Sequence, residues 1–483
     1  MKKFLGLVVG MIVILVGIIL VKTYSVPDIQ PAAEAVESSH QPLDSAAEHL
    51  AQAISFATIS HHPAMMDTET FDHFHNWLGK TYPTVFSTLE VDTFGTHSLL
   101  LKWSGKSANQ PILFMAHQDV VPIDQNANWE YPAFGNLVQG DYIYGRGALD
   151  DKGALISIFE AMEALAKNKF IPEHDVYFAF GQDEEIGGKN GAQLIAQHFE
   201  KLGLRFRLVL DEGGIISEGI IPGLEQSVAL IGTAEKGYIS LDVETHFEGG
   251  HSSMPQDTNA ITLAADVINA LRNHPFESRL CGSMEGFLEY LGPHFSFTTR
   301  MAAANRWAFE GVIINAYSAK PSGAALVHTT CTPTITRAGI KDNVIPMRAL
   351  VTFNSRILPG ETEETVIAHY EKALSGLPVK ITVHDDFSEN PSPISDHKAP
   401  EFLEFANVVK RNYPDCLVAP YLVLGATDGR YMTDVSDHVY RFLPFRFKGD
   451  DLARLHGVNE RVSVNDFENA IVFYMDAISS LSN

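Results

Sequence analysis

The longest apolar run comes first: Phe4–Val21 is 18 residues without a charge, set behind Lys2 and Lys3. That length just reaches across a bilayer, and the two lysines hold the N-terminus on the cytoplasmic side. A removable signal has a shorter apolar core and an early A-x-A site. Here Val21-Lys22-Thr23-Tyr24-Ser25 follows, and Ala32, Ala33 and Ala35 come late. The pattern therefore favours an uncleaved anchor over residues 1–22, with the body on the non-cytoplasmic side, periplasmic, extracellular or lumenal. Residues 23–44, with Pro27, Pro31, Pro42, Ser38, Ser39 and several acids, read as a solvated linker.

From Ala46 the pattern alternates. Ala46–Ala57 has helical spacing, Ile112–Ala116 is a short apolar run suited to a buried strand, and Asp150–Lys167 is helical through Leu155, Ile158, Phe159, Met162 and Leu165. Val176–Phe180 and Arg207–Leu210 are two further strands. Strands alternating with helices predict an α/β fold, a mostly parallel sheet flanked by helices. After Gly232 the texture changes. Tyr238–Phe247 alternates, Thr258–Asn273 reads as a helix, Leu350–Ile357 is extended and Glu361–Ala373 is helical. These predict a smaller α+β module over 234–386, inserted between main-domain parts 45–233 and 387–483, with Val464–Leu481 as the closing helix. Residues 281–330 resist assignment and are expected to elaborate the insert.

Composition narrows the function classes. A chain of 483 residues with 45% hydrophobic content is globular over most of its length. Its net charge of −24 repels phosphate backbones and argues against nucleic-acid binding. Cys281, Cys331 and Cys416 are odd in number and far apart, with no zinc-finger or CxxC spacing; buried free thiols are the expectation.

Polar residues cluster just past the predicted strands. His117 and Asp119 follow Ile112–Ala116, Glu184 and Glu185 follow Val176–Phe180, Asp211 follows Arg207–Leu210, and Asp150 opens a helix. In an open α/β sheet the carboxyl ends of the strands line the ligand crevice. Imidazole and carboxylates without thiolates suit a catalytic zinc site with an open position. Taken singly, each residue has an ordinary reading: Asp150 or Asp151 as a helix N-cap, His117 as a histidine beside a strand, Glu184 and Glu185 as a solvated pair, Asp211 as a turn residue. Their recurrence at equivalent strand ends, beside Gly145-Arg146-Gly147 and Gly187-Gly188, favours a site.

Seven blocks then carry a resemblance. They are Met115-Ala116-His117-Gln118-Asp119-Val120-Val121-Pro122, Tyr144-Gly145-Arg146-Gly147-Ala148-Leu149-Asp150-Asp151-Lys152-Gly153, Asp183-Glu184-Glu185-Ile186-Gly187-Gly188 and Leu210-Asp211-Glu212-Gly213-Gly214. Gly249-Gly250-His251-Ser252-Ser253-Met254-Pro255, Gly425-Ala426-Thr427-Asp428-Gly429-Arg430 and His456-Gly457-Val458-Asn459-Glu460 complete the set. Together they resemble the zinc metallopeptidase family of carboxypeptidase S, aminoacylase and glutamate carboxypeptidase, nearest the branch of carboxypeptidase S and the secreted N-acyl-amino-acid hydrolases. The resemblance implies a di-zinc exopeptidase fold whose inserted module is a lid or dimerisation domain. It implies two zinc ions per chain, bridged by Asp150, with His117 and Asp211 on one ion and Glu185 and His456 on the other. It makes Glu184 the general base acting on a water shared by the ions, and Asp119 the partner that fixes the His117 tautomer. His251 becomes an oxyanion donor lent across a homodimer, Arg430 the grip on a substrate carboxylate, and Asn343 a further donor to it. A turn histidine, a surface ion pair with Asp428 and a turn asparagine are the ordinary readings of those three. Arg356, in Ser355-Arg356-Ile357-Leu358-Pro359-Gly360, matches a family element without an assigned role.

The substrate implied is a peptide or an N-acyl amino acid with a free carboxylate. The chain lacks H-E-x-x-H, and Gly250-His251-Ser252-Ser253-Met254 lacks the last glycine of a nucleophile elbow. A non-catalytic envelope binding protein on the same fold remains the alternative from a different class.

Overall fold

The structure, a computed structural model, describes residues 2–32, 45–62, 66–124 and 126–483; the linker expected over 23–44 lies outside the described residues from 33 onward. Lys2–Tyr24 forms one helix, with its apolar side chains exposed and only Thr23 buried. After it the chain does not float free. Gln30 Nε2 donates to the carbonyls of Val418 (2.9 Å) and Tyr290 (3.2 Å), and Oε1 accepts from Val418 N at 2.7 Å.

The main domain is built on a ten-stranded sheet. Its centre is parallel: His174–Gly181, Ser107–His117, Leu208–Asp211 and Val439–Arg441 lie side by side in that order. One flank adds Ser98–Trp103 and Glu90–Phe94, both antiparallel. On the other, Val228–Glu235 pairs antiparallel with Val439–Arg441 and parallel with Leu417–Val423. The predicted α/β sheet is present, and it is mixed rather than uniformly parallel because hairpin-type neighbours extend its edges. The predicted runs are buried as expected, Ile112 through His117 and Val176 through Gly181 without interruption. Helices Lys152–Lys167 and Val464–Leu481 pack on one another beneath the sheet, with Phe159, Phe467, Ile471 and Ile478 fully buried. Burial of this kind stabilises by about 1.5–3 kcal/mol per large side chain.

The smaller module is an antiparallel sheet in the order Thr332–Ala338, Arg348–Ile357, Gly237–His246, Val379–Glu389. Helices Ala260–Asn273 and Glu363–Ala373 cover it, giving a separate core around Leu241, Val243, Val267, Val351 and Phe353. Both helices begin with capping boxes, at Asn259 and Thr362. Residues 281–327 behave differently from the sequence expectation. Met284, Phe287, Leu288, Leu291, Ile313 and Val327 join the main-domain core. Four helices, Gly282–Leu291, Phe297–Ala304, Arg306–Ser318 and Pro321–Val327, make this segment, and without a one-sided stripe they gave no clear period. Cys281 and Cys416 are buried and Cys331 half-buried, all as free thiols.

Candidate active site

Five chain segments bring acids and imidazoles to one place near the carboxyl ends of the central strands. His117 ends the strand Ser107–His117 and is 1% exposed. Its Nδ1–H donates to the backbone carbonyl of Asp119 at 2.9 Å, with the Asp119 carboxylate at 3.4 Å. A carbonyl only accepts, so this bond fixes the proton on Nδ1 and directs Nε2 into the site. The tautomer is thus set chiefly by the Asp119 main chain. The Asp119 carboxylate itself accepts from Glu184 N (3.1 Å), Glu185 N (3.2 Å) and Ser60 Oγ (2.6 Å). It pins the short turn Glu184–Ile186 that follows His174–Gly181.

Asp150 stands between the two histidines. Oδ1 is 2.9 Å from His117 Nε2, and Oδ2 is 3.0 Å from His456 Nε2. His456 also lies 3.3 Å from Glu185 Oε2, and its backbone adopts a left-handed φ of 56°. Asp151, at the N-cap of Lys152–Lys167, makes no side-chain cap bond; its Oδ2 accepts from His117 N at 3.2 Å. The loops carrying Asp150 and His456 are tied together by buried Glu460. Its Oε1 accepts from the N–H groups of Gly147, Leu149 and Asp150 at 2.9–3.2 Å, and Oε2 meets Arg146 at 2.5 Å.

Asp211 is aimed elsewhere. Its Oδ2 accepts from Gly429 N at 2.5 Å, and it is buried beside the loop that carries Arg430. The next residue, Glu212, turns into the cluster, with Oε1 3.8 Å from His117 Nε2. His117, Glu184 and Glu212 form one group of donor atoms within 4.8 Å of one another; His117, Asp150 and Glu185 form a second. Of the two consecutive acids at this strand end, Glu212 rather than the expected Asp211 falls within these donor groups. Adjacent residues at a strand end face opposite ways, and the pattern does not tell which of two consecutive acids faces the crevice.

The electrostatics call for cations. Asp150, Glu184, Glu185 and Glu212 gather around two imidazoles, and Glu185 Oε1 is buried without a hydrogen-bond partner. Burial pushes the Glu184 and Glu212 carboxyls well above the usual range, and it raises Glu185 as well. Burial acts downward on His117, yet its bonds to Asp119 and Asp150 hold the imidazole well above normal. Hydrogen bonds to Asp150 and Glu185 raise His456 to about 10. Each imidazole is thus held in an acceptor-rich setting, which a divalent ion with N and O ligands satisfies.

Arg430 lies near the cluster, close enough to act electrostatically on Glu184. Nε pairs with Glu389 at 2.8 Å, and Nη2 donates to Gly187 O at 3.0 Å. Tyr431 Oη donates to the same carbonyl at 2.6 Å. Arg356 comes from the small domain with its guanidinium 4.9 Å from the Tyr238 ring; burial lowers its pKa, and Arg430 and Glu184 both act on it electrostatically. The Arg430 loop is braced from behind by a fully buried ion pair. Glu235 Oε2 accepts from Thr427 N (2.9 Å), Thr427 Oγ1 (3.0 Å) and Arg441 Nε (3.0 Å). Gly188 is required here: its φ is 63°, and a Cβ would meet Asp428 Oδ1 at 2.1 Å.

His251 and Asn343 stand apart. They neighbour each other on a two-stranded ribbon of the small domain, Gly250–His251 with Val344–Ile345, where Ser252 N donates to Asn343 O at 3.2 Å. Both are exposed. Ser253 takes the His251 Nδ1 at 2.8 Å, and among the described residues no hydrogen bond or ion pair joins either residue to the His117 cluster.

Known proteins align with this architecture. The model of peptidase family M20/M25/M40 matches residues 113–480. A probable carboxypeptidase S-like 2 from Dictyostelium discoideum is 34% identical over 97% of this chain and 92% of its own length. An N-fatty-acyl-amino acid synthase/hydrolase from Homo sapiens is 33% identical over 90% of this chain and 87% of its own. Among solved structures, an M20 family metallo-carboxypeptidase from Sulfolobus solfataricus superposes with a TM-score of 0.67 at 19% identity, covering 91% of this chain and all of that one. Human carnosine dipeptidase 1 gives 0.63 at 14% identity, covering 91% and 96%. With the cluster at its strand ends and relatives matched along nearly its whole length, the chain belongs to the M20/M25/M40 peptidase family and is a hydrolytic enzyme.

Proposed function

We propose that this enzyme is a two-zinc amide hydrolase, held at a membrane, that acts on peptides or N-acyl amino acids bearing a free carboxylate. The observation that carries the reading is Asp150, whose two oxygens are divided between His117 and His456. In this reading His117, Asp150, Glu185, Glu212 and His456 are the residues that would hold zinc. Asp211, occupied by Gly429 N, positions the Arg430 loop. The donor set fits, since it offers imidazole and carboxylate without thiolate and leaves a buried carboxylate oxygen unpaired. Bound there, zinc supplies Lewis acidity that polarises the scissile carbonyl and brings the pKa of water towards neutrality.

The chain's own residues do the rest. Glu184 takes the proton of the attacking water on its carboxylate and returns it to the leaving amine nitrogen. Asp119 keeps Glu184 in place through the main-chain N–H it accepts. Arg430 receives the substrate carboxylate in a charge-assisted pair; it exchanges Glu389 for substrate, and Arg356 adds a second positive charge. Tyr238 and Phe387, with rings 5.5 Å apart, stand beside Arg356. His251 and Asn343 serve the site of a second copy across a homodimer, which agrees with their exposure and with the exposed outer strand Thr332–Ala338. Helix Lys2–Tyr24 acts as an uncleaved anchor with the body on the non-cytoplasmic side, supported by its apolar exposed surface and its packing on the body.

The decisive experiment offers purified full-length enzyme paired libraries of dipeptides and long-chain N-acyl amino acids and reads the released amine. Turnover that needs zinc and collapses when the carboxylate is amidated is expected. Equal turnover of amidated substrates removes Arg430 from its role, and turnover indifferent to chelation removes zinc.

A further inference from the structure

Helix Lys2–Tyr24 does not leave the body at a bare hinge. Asn305 Nδ2 donates to Ile19 O and to Thr23 Oγ1, each at 3.2 Å. Lys22 Nζ lies 5.7 Å from the Trp307 ring centroid, and the Tyr24 and Phe297 rings are 5.7 Å apart. The helices Phe297–Ala304 and Arg306–Ser318 are thus fixed at the level where the apolar run ends. Asn305 reaches Ile19, three residues before Lys22, which is about 4.5 Å along the axis at the α-helical rise. That depth is near the roughly 5–10 Å to which interfacial helices bury their apolar faces.

Beyond those contacts the surface there is apolar and exposed. Phe297, Trp307 and Val312 are 43%, 56% and 60% exposed. Residues 297–320 hold only Arg300, Arg306, Lys320 and Glu310 as charges, three basic against one acidic, in a chain of net charge −24. A tryptophan beside a lysine is the usual furniture of a membrane–water boundary. Gln30, latched to Val418 and Tyr290, keeps the body close to the point where the anchor emerges.

We propose that Phe297–Ala304 and Arg306–Ser318 form a lipid-contact surface, lying in the headgroup region of the bilayer crossed by Lys2–Tyr24. The inference rests on the anchor reading above. It makes the protein's seat on the membrane two-part, a spanning helix and a docked platform, so the active-site body has a fixed orientation to the lipid.

Full-length enzyme in nanodiscs of phosphatidylcholine and phosphatidylglycerol, with lipids brominated near the top of the acyl chain, tests this by tryptophan quenching. Trp77, Trp103 and Trp129 are buried or half-buried, which leaves Trp307 as the exposed reporter. Quenching in the wild type that is mostly lost in Trp307→Phe is the expected result. Equal quenching in both proteins overturns the proposal. So does Trp307 shielded from acrylamide yet untouched by brominated lipid, which assigns the face to a second copy. If the full-length chain separates from the nanodiscs, the anchor reading itself falls, and the platform with it.

Discussion

The strand-end cluster and the His251 ribbon hold similar chemistry in opposite settings. In the cluster several donors are braced: Asp119 fixes His117 and the Glu184 turn, and Glu460 fixes the Asp150 loop. Among the described residues the His251 side chain has only its neighbour Ser253 as a hydrogen-bond partner, on an exposed two-residue strand. Buried polar groups persist when their partners are supplied, and these braces all come from the same chain. The ribbon is solvated and lacks a facing surface. A site can therefore be preorganised in one region and completed by another body.

Variants test how sharp that division is. The largest effect belongs to Glu184→Gln, which keeps the shape and removes the base: turnover falls by about 10²–10⁴-fold, while zinc content by elemental analysis stays at the wild-type value. Lost zinc in that variant would make Glu184 a ligand instead. Next is a contrast between neighbours. Glu212→Gln weakens zinc binding beyond the roughly 10–100-fold typical of outer-shell changes, whereas Asp211→Asn retains both ions because its side-chain oxygen still accepts from Gly429. Titration with a competing chelator reads both, and the reverse ranking restores Asp211 as the ligand.

His251→Ala should cost about 10²–10³-fold in kcat, as loss of an oxyanion donor does. Mixing it with Glu184→Gln restores about a quarter of wild-type turnover if heterodimers form at random. No recovery on mixing breaks the idea that the ribbon serves another subunit. The smallest effect lies at the junction of the two regions. Lys236 donates to the carbonyls of Ala325 and His328, both at 2.8 Å, and burial lowers its pKa from 10.5 to about 8. Between pH 8 and 10.5 the unfolded chain keeps this proton and the folded chain releases it. The Lys236 contribution to stability therefore rises with pH across that window. Urea midpoints of wild type minus Lys236→Met should climb from pH 8 to 10; a flat difference contradicts the shift.

Much of this was readable from the chain. Uninterrupted apolar runs marked the central strands, and acids just beyond them marked the crevice, because those two facts share one cause in the pleat of the sheet. Asp211 and Glu212 mark where the reading stops, since a face choice between adjacent residues depends on the turn that follows. Glu235 and Arg441 went unnoticed for another reason. Each stands at the end of an apolar strand as an ordinary charge, and only folding brings them 3.0 Å apart in the dry interior. Removing one partner of such a pair costs about 3–5 kcal/mol. The helices of 281–327 were hidden because their apolar groups are spread around the axis, buried along Gly282–Leu291 and largely exposed along Phe297–Ala304 and Arg306–Ser318.

The latch made by Gln30 has a consequence for proteolytic release. Its amide occupies both the N–H and the carbonyl of Val418, in a strand whose only sheet partner among the described residues is Val228–Glu235. Open strand edges are templates for intermolecular pairing. A cut between Tyr24 and Gln30 sheds a body that still carries its own edge guard, whereas a cut beyond Gln30 leaves a sticky one.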